Sequence, residues 1–142
     1  MNTSLQDVGL AVKRLQWLHH REANRRLLST AGLSLVQWDV LRHLHSRPDA
    51  SLHTLSELTF QSDQSMGELA KRMVGCGLLE RVPGPGRAVR HRLTAKGQEA
   101  YERGSGVVDD VLAESLGVLT TQERAVLHDL LLRAAEHAKS TW

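Results

Sequence analysis

At 142 residues, 41% hydrophobic and 24% charged, the chain has an ordinary globular composition and enough length to bury a core without metal or disulfide staples. Its one cysteine, Cys76, rules out an intrachain disulfide and suits a reducing cytoplasm. The net charge of +2 is unevenly spread, with seven Lys/Arg against three Asp/Glu over residues 62–96 and four against eight over 97–142, so the middle suits a polyanion partner.

From Thr3 to about Leu28, Leu5, Val8, Val12 and Leu15 recur at helical spacing, and the stripe continues onto His19 and Glu22, where it turns polar. Asp7, Lys13 and Arg14 interrupt this apolar stretch, which therefore does not read as a leader peptide. The sequence has no apolar run of about 18 residues, so no membrane span is expected. Ser34 is a good N-cap for a second helix to about Arg47, with Leu35, Trp38, Leu41 and Leu44 on one side and Pro48 closing it. Leu52, Leu55 and Leu58 outline a short helix around His53–Thr59.

Ser62 then caps a helix through to about Cys76, ended by the Gly75–Cys76–Gly77 cluster. Met66, Leu69, Ala70 and Met73 form its inner side; Gln64, Glu68 and Lys71 face outward, with Ser65 and Arg72 more oblique. Residues 78–82 and 88–93 read as two strands around a turn containing Pro83, Gly84, Pro85 and Gly86. In the second strand, alternation turns Val89, His91 and Leu93 inward and leaves Arg90 and Arg92 outside, with Arg87 at the tip of the turn. Thr94 can cap a further helix that carries Tyr101, Val108, Val111 and Leu112 toward Leu116; Gly104 and Gly106 interrupt it, either as a hinge or as a close helix crossing. Thr120 with Glu123 has the capping-box spacing for a last helix, striped by Leu127, Leu130, Leu131, Ala134 and Ala138.

The order helix, helix, short helix, helix, β-hairpin, helix, helix predicts a mainly α (α+β) winged helix: a winged helix-turn-helix core between long N- and C-terminal helices. A helix of this kind fits the major groove of DNA and reads bases with its N-terminal residues. Ser62, Asp63, Gln64 and Ser65 occupy that turn, with Glu68, Lys71 and Arg72 further along. Arg87, Arg90 and Arg92 on the hairpin would supply cationic contacts to the backbone or minor groove.

In "GLSLVQWDVLRHL" (32–44), "LSELTFQSDQSMGELAKRMVGCGLLER" (55–81) and "GRAVRHRLTAKG" (86–97), the sequence resembles the multiple-antibiotic-resistance regulator (MarR) family. The wing strand followed by Leu-Thr-x-x-Gly is the most specific of these. The resemblance implies a cytoplasmic, nucleoid-associated bacterial repressor, homodimeric through its first and last helices, on a palindromic operator of double-stranded DNA. The single domain would then comprise a dimerisation helix at 1–32, a DNA-binding lobe at 33–94, and connector and dimerisation helices at 95–142. It further implies a small-molecule effector pocket, for which Trp17, His19 and Trp38 are the candidates. Three positions depart from the family pattern: Pro85 stands where the wing commonly carries an Asp, and Gly67 and Glu68 stand where small hydroxyl and basic residues are common.

Other chemistries find little support. His19–His20 and His43–His45 lack the spacing of a metal site, and neither H-x-x-x-H nor C-x-x-C occurs. "GSG" at 104–106 is not a nucleophile elbow, and no phosphate loop or dinucleotide fingerprint is present, so neither an enzyme nor a cofactor is expected. Two alternatives remain open: a redox or metal sensor on the same scaffold, using Cys76 or His19, and a protein-interaction module that has lost DNA binding, suggested by Asp63, Gly67 and Glu68.

Overall fold

The computed structural model describes residues 2–86 and 88–142. Among the described residues, six helices and two strands follow in the order α1 (Leu5–Ala31), α2 (Leu35–Ser46), α3 (Leu52–Leu58), α4 (Asp63–Gly75), β1 (Leu79–Pro83), β2 (Val89–Leu93), α5 (Ala95–Leu116) and α6 (Thr121–Thr141). This is the winged-helix order expected from the sequence. The chain divides into two compact units, Met1–Val108 and Asp109–Trp142.

Local chemistry sets most of the boundaries. Ser4, Ser34, Ser51, Ser62 and Thr120 each stand in extended conformation before a helix, and each accepts a hydrogen bond from the backbone N–H three residues on. At Ser4, Ser34 and Thr120, the side chains of Asp7, Gln37 and Glu123 reach back to the cap, completing capping boxes. Gly32 ends α1 in the left-handed region, its N–H bonded to the Leu27 carbonyl.

The core of the first unit draws on α1, the α1–α2 turn, α2, α3, α4 and β1. Leu27, Leu33, Val40, Leu41, Leu55, Met66, Met73 and Leu79 are fully buried there, each aliphatic side chain contributing about 1.5–3 kcal/mol. Met66, Leu69, Ala70 and Met73 are the buried side of α4, as its periodicity predicts. The hairpin is antiparallel, with Leu79 opposite Leu93, Arg81 opposite His91 and Val82 opposite Arg90; β1 packs on α4 and β2 on α2.

The Leu-Thr-x-x-Gly segment is a joint. Thr94 N–H donates to the Leu78 carbonyl (3.1 Å), and Thr94 Oγ1 accepts from Gly97 N–H (3.0 Å). A β-carbon at Gly97 would stand 2.1 Å from that same Leu78 carbonyl, so only glycine lets the first turn of α5 close against the base of the hairpin.

In β2 the expected alternation holds only in part. His91 is buried and Leu93 half-buried, but Val89 is 50% exposed and Arg90 half-buried. Val89 pairs with Pro83, itself exposed, at the end of the two-stranded ribbon next to the turn.

The helical ends of the chain keep much apolar surface in water. On α1, Leu5, Val8, Leu10, Val12, Trp17 and Leu18 are exposed. In the second unit no residue of α6 is buried, and Val126, Leu130, Leu131 and Leu132 stand in solvent. No helix among the described residues is long and apolar enough to cross a membrane.

Candidate nucleic-acid interface

The outer face of α4 is polar throughout. Ser62, Asp63, Gln64, Ser65, Glu68, Lys71 and Arg72 are all exposed. Gln64, Glu68, Lys71 and Arg72 follow one another at the spacing of a single helical face, opposite Met66, Leu69, Ala70 and Met73.

Asp63 has a more specific setting than its neighbours. Its carboxylate accepts from Ser56 Oγ (2.7 Å) and from His53 Nδ1 (2.9 Å), both on α3, which tie the first residue of α4 to the preceding helix. These bonds hold the Asp63 carboxyl below the usual carboxylate range, the Ser56 hydroxyl first among the causes. The sequence reading singled out Asp63 but not Ser56 or His53. A histidine ten residues before an aspartate carries no periodic signal.

On the hairpin, Arg92 is exposed and paired across the strands with Glu80 (Nε–Oε1 2.5 Å). Arg90 is half-buried beside the turn, close to Gly84, and Arg81 is exposed on β1. Arg87 lies outside the described residues. The turn itself is closed by Gly84 N–H donating to the Ala88 carbonyl and Ala88 N–H to that of Pro85. His91, across from Arg81, is buried; burial, then the Arg81 charge, lowers its pKa and so favours the neutral ring.

The three candidate pocket residues are in dissimilar places. Trp17 is exposed on α1 and His19 half-buried. Trp38 is buried; its indole N–H donates to the Tyr101 carbonyl (3.3 Å), and Arg42 lies over its ring at 5.3 Å. His45 stacks on the Tyr101 ring with centroids 4.5 Å apart. A separate open cleft of about 450 Å³ runs between the α1–α2 turn, the end of α4 and the start of α5, lined by Leu33, Cys76, Leu78, Lys96 and Arg103 among others. None of Trp17, His19 and Trp38 lines it. The cations of this cleft are engaged: Lys96 Nζ donates to the Cys76 carbonyl (2.7 Å), and Arg103 pairs with Glu99 (2.8 Å). Cys76 is exposed, its Sγ 3.6 Å from the Met73 carbonyl. Among the described residues, no group of three or more His, Cys, Asp or Glu is placed to hold a metal ion.

Residues 31–88, which run from the end of α1 through α2, α3, α4 and β1 to the hairpin turn, match the model of the MarR family. The matched segment is less than half of the chain. Solved structures of the same fold extend the likeness over both units. The PcaV transcriptional regulator of Streptomyces coelicolor, solved with its natural ligand, is 27% identical with a TM-score of 0.76, covering 97% of this chain and 99% of its own. The Mycobacterium tuberculosis MarR family protein Rv2887, solved in complex with DNA, is 22% identical with a TM-score of 0.71, covering 94% and 98%. The oxidised form of MarR from E. coli is 24% identical with a TM-score of 0.76, covering 95% and 96%. No curated protein sequence matches the chain.

Proposed function

We propose that this protein is a cytoplasmic, homodimeric, sequence-specific transcriptional regulator of the MarR family, a repressor whose hold on a palindromic operator is weakened by a small-molecule effector. The observation that carries this reading is the polar outer face of α4, exposed beside a basic hairpin on the lobe that matches the family. Gln64, Ser65, Glu68, Lys71 and Arg72 would face a major groove, where base edges carry a distinguishable donor and acceptor pattern. Ser62, with the N-terminal amides of α4, would hold a phosphate. Arg87, Arg90 and Arg92 would give affinity through the backbone. Asp63 would act mainly through its bonds to α3.

The apolar residues left in solvent on α1 and α6 support dimerisation through both chain ends, residues 1–32 and 95–142. A dimer of this kind sets two reading helices about 34–36 Å apart, matching successive major grooves. Trp17 and His19, with Trp38 as a wall, are the proposed effector contacts, and an effector acts by binding better to the form with the wrong spacing. Rv2887 with DNA and PcaV with its ligand are the neighbours that support the two binding activities.

The test combines sedimentation with a footprint on the intergenic DNA beside the protein's own gene. A dimer protecting two half-sites about one helical turn apart is expected. A monomer, or affinity that does not respond to salt, would overturn the reading, because phosphate contacts make log affinity fall steeply with log salt.

A further inference from the structure

We propose that His53, as an imidazolium, is a positioning residue for the groove-reading helix: clamped between Glu57 and Asp63, it fixes the first residue of α4 and sets the charge which that end presents to DNA, so that DNA binding weakens as pH rises. The inference rests on the DNA-binding reading above and adds a residue and a regulation to it.

The geometry has one chemical solution. His53 Nδ1 lies 2.9 Å from Asp63 Oδ1, and its Nε2 lies 2.7 Å from Glu57 Oε1. Ionised carboxylates only accept, and a neutral imidazole carries one N–H. Both contacts are therefore satisfied only when both ring nitrogens are protonated. In the neutral ring one nitrogen lone pair faces a carboxylate at hydrogen-bond distance, and that contact must open.

The two carboxylates are not equivalent. Glu57 is exposed on α3, one turn after His53, and can swing into solvent. Asp63 is also held by the hydroxyl of Ser56, a residue only 3% exposed, so its position is inherited by the backbone of the first turn of α4. Gln64 and Ser65 follow directly. The charged groups acting on the ring are Asp63 from α4 and Glu57 from α3; the hydrogen bond to Asp63 is the main cause that raises its pKa above 6.5, with both carboxylate charges adding to it.

The sign follows. Below the ordinary histidine pKa the ring is charged, and the Glu57–His53–Asp63 cluster carries one net negative charge. As pH rises through the raised value the ring loses its proton and the cluster carries two, beside a helix end that must approach phosphates. The proton therefore favours DNA, and by linkage DNA must raise the affinity of His53 for its proton. The ring is 68% exposed, so solvent and salt screen the effect and a severalfold change is expected rather than a complete one.

The experiment uses the full chain and a duplex that the wild-type protein enriches from a random-sequence pool. Affinity is measured by anisotropy from pH 5.5 to 8.5 at constant ionic strength for wild type, His53→Gln and Asp63→Asn, with the His53 ring titration followed by NMR with and without DNA. Wild type should lose affinity severalfold as pH rises, His53→Gln should lack that limb, and the wild-type ring midpoint should lie above 6.5, rise further on DNA and fall back in Asp63→Asn. Coincident pH profiles for wild type and His53→Gln, or a wild-type ring midpoint that DNA leaves unmoved, would overturn the proposal while leaving DNA binding intact. The ring titration needs no variant, so poor folding of His53→Gln would not blunt the test. If no duplex is enriched at any pH, the function proposed above fails, and this inference with it.

Discussion

A β-carbon at Gly104 would stand 2.4 Å from Cδ1 of Trp38, so α5 passes α2 at a position that tolerates no side chain. The Trp38 indole N–H meets the Tyr101 carbonyl one turn earlier, which fixes the crossing in register as well as in distance. Gly106, two residues on, faces open space.

The pair yields opposite outcomes for one substitution. Gly104→Ala should destabilise the protein by about 1–3 kcal/mol through overpacking against the indole and Leu27. Gly106→Ala should stabilise it by about 1 kcal/mol, the helix-propensity difference at an exposed position. Urea midpoints of the two variants check both signs; a stabilising Gly104→Ala would show that the crossing is loose.

Phe60, in the turn between α3 and α4, has φ of +57° and is 93% exposed. Its side chain gains little from burial there, while a left-handed conformation costs a residue with a β-carbon roughly 1–2 kcal/mol. Phe60→Gly should therefore raise stability, by up to about 1 kcal/mol after the greater freedom of glycine in the unfolded chain is counted. A thermal midpoint below that of wild type would mean that the ring has a structural role in the turn.

Glu22 is held by Arg25 and Arg26, whose hydrogen bonds lower its carboxyl pKa from 4.5 to about 2. A depressed carboxyl pKa contributes stability that is present above the unfolded value and is lost as pH falls through the folded one. The contribution should thus fade between about pH 4.5 and 2. Glu22→Gln should flatten this part of the stability–pH curve relative to wild type while leaving its shape near neutrality alone. Parallel curves for the two proteins through that window would refute the assignment.

Contacts from α4 and from the hairpin should separate. Gln64→Ala should cost roughly 1–3 kcal/mol at particular base pairs. Arg87→Ala, on the hairpin, should weaken binding to all duplexes and reduce the salt slope by about one. Equal losses for Gln64→Ala on selected and random DNA would remove α4 from the role of reader.

Much of this fold was legible because its signals are local. A serine or threonine cap acts on the next three residues, so Ser34, Ser62 and Thr120 announce their helices without help from the rest of the chain. The Met66–Leu69–Ala70–Met73 stripe names the buried side of α4, and therefore its polar outer face, by spacing alone. Val89 departs from the expected pattern because alternation fixes which face a side chain takes, not how far that face is buried. The bond that occupies the Trp38 N–H leaves no trace in the sequence, since Tyr101 is 63 positions away.

The order of elements, the helix boundaries and the two faces of α4 were thus determined by the sequence itself, through interactions that span a few residues. Tertiary structure alone decided that Gly104 is a crossing and Gly106 is not, that Gly97 closes a joint, and that Asp63 is bonded to Ser56 and His53. These depend on atoms brought together across turns and between elements, where contact is set by distance in space and leaves no period in the chain.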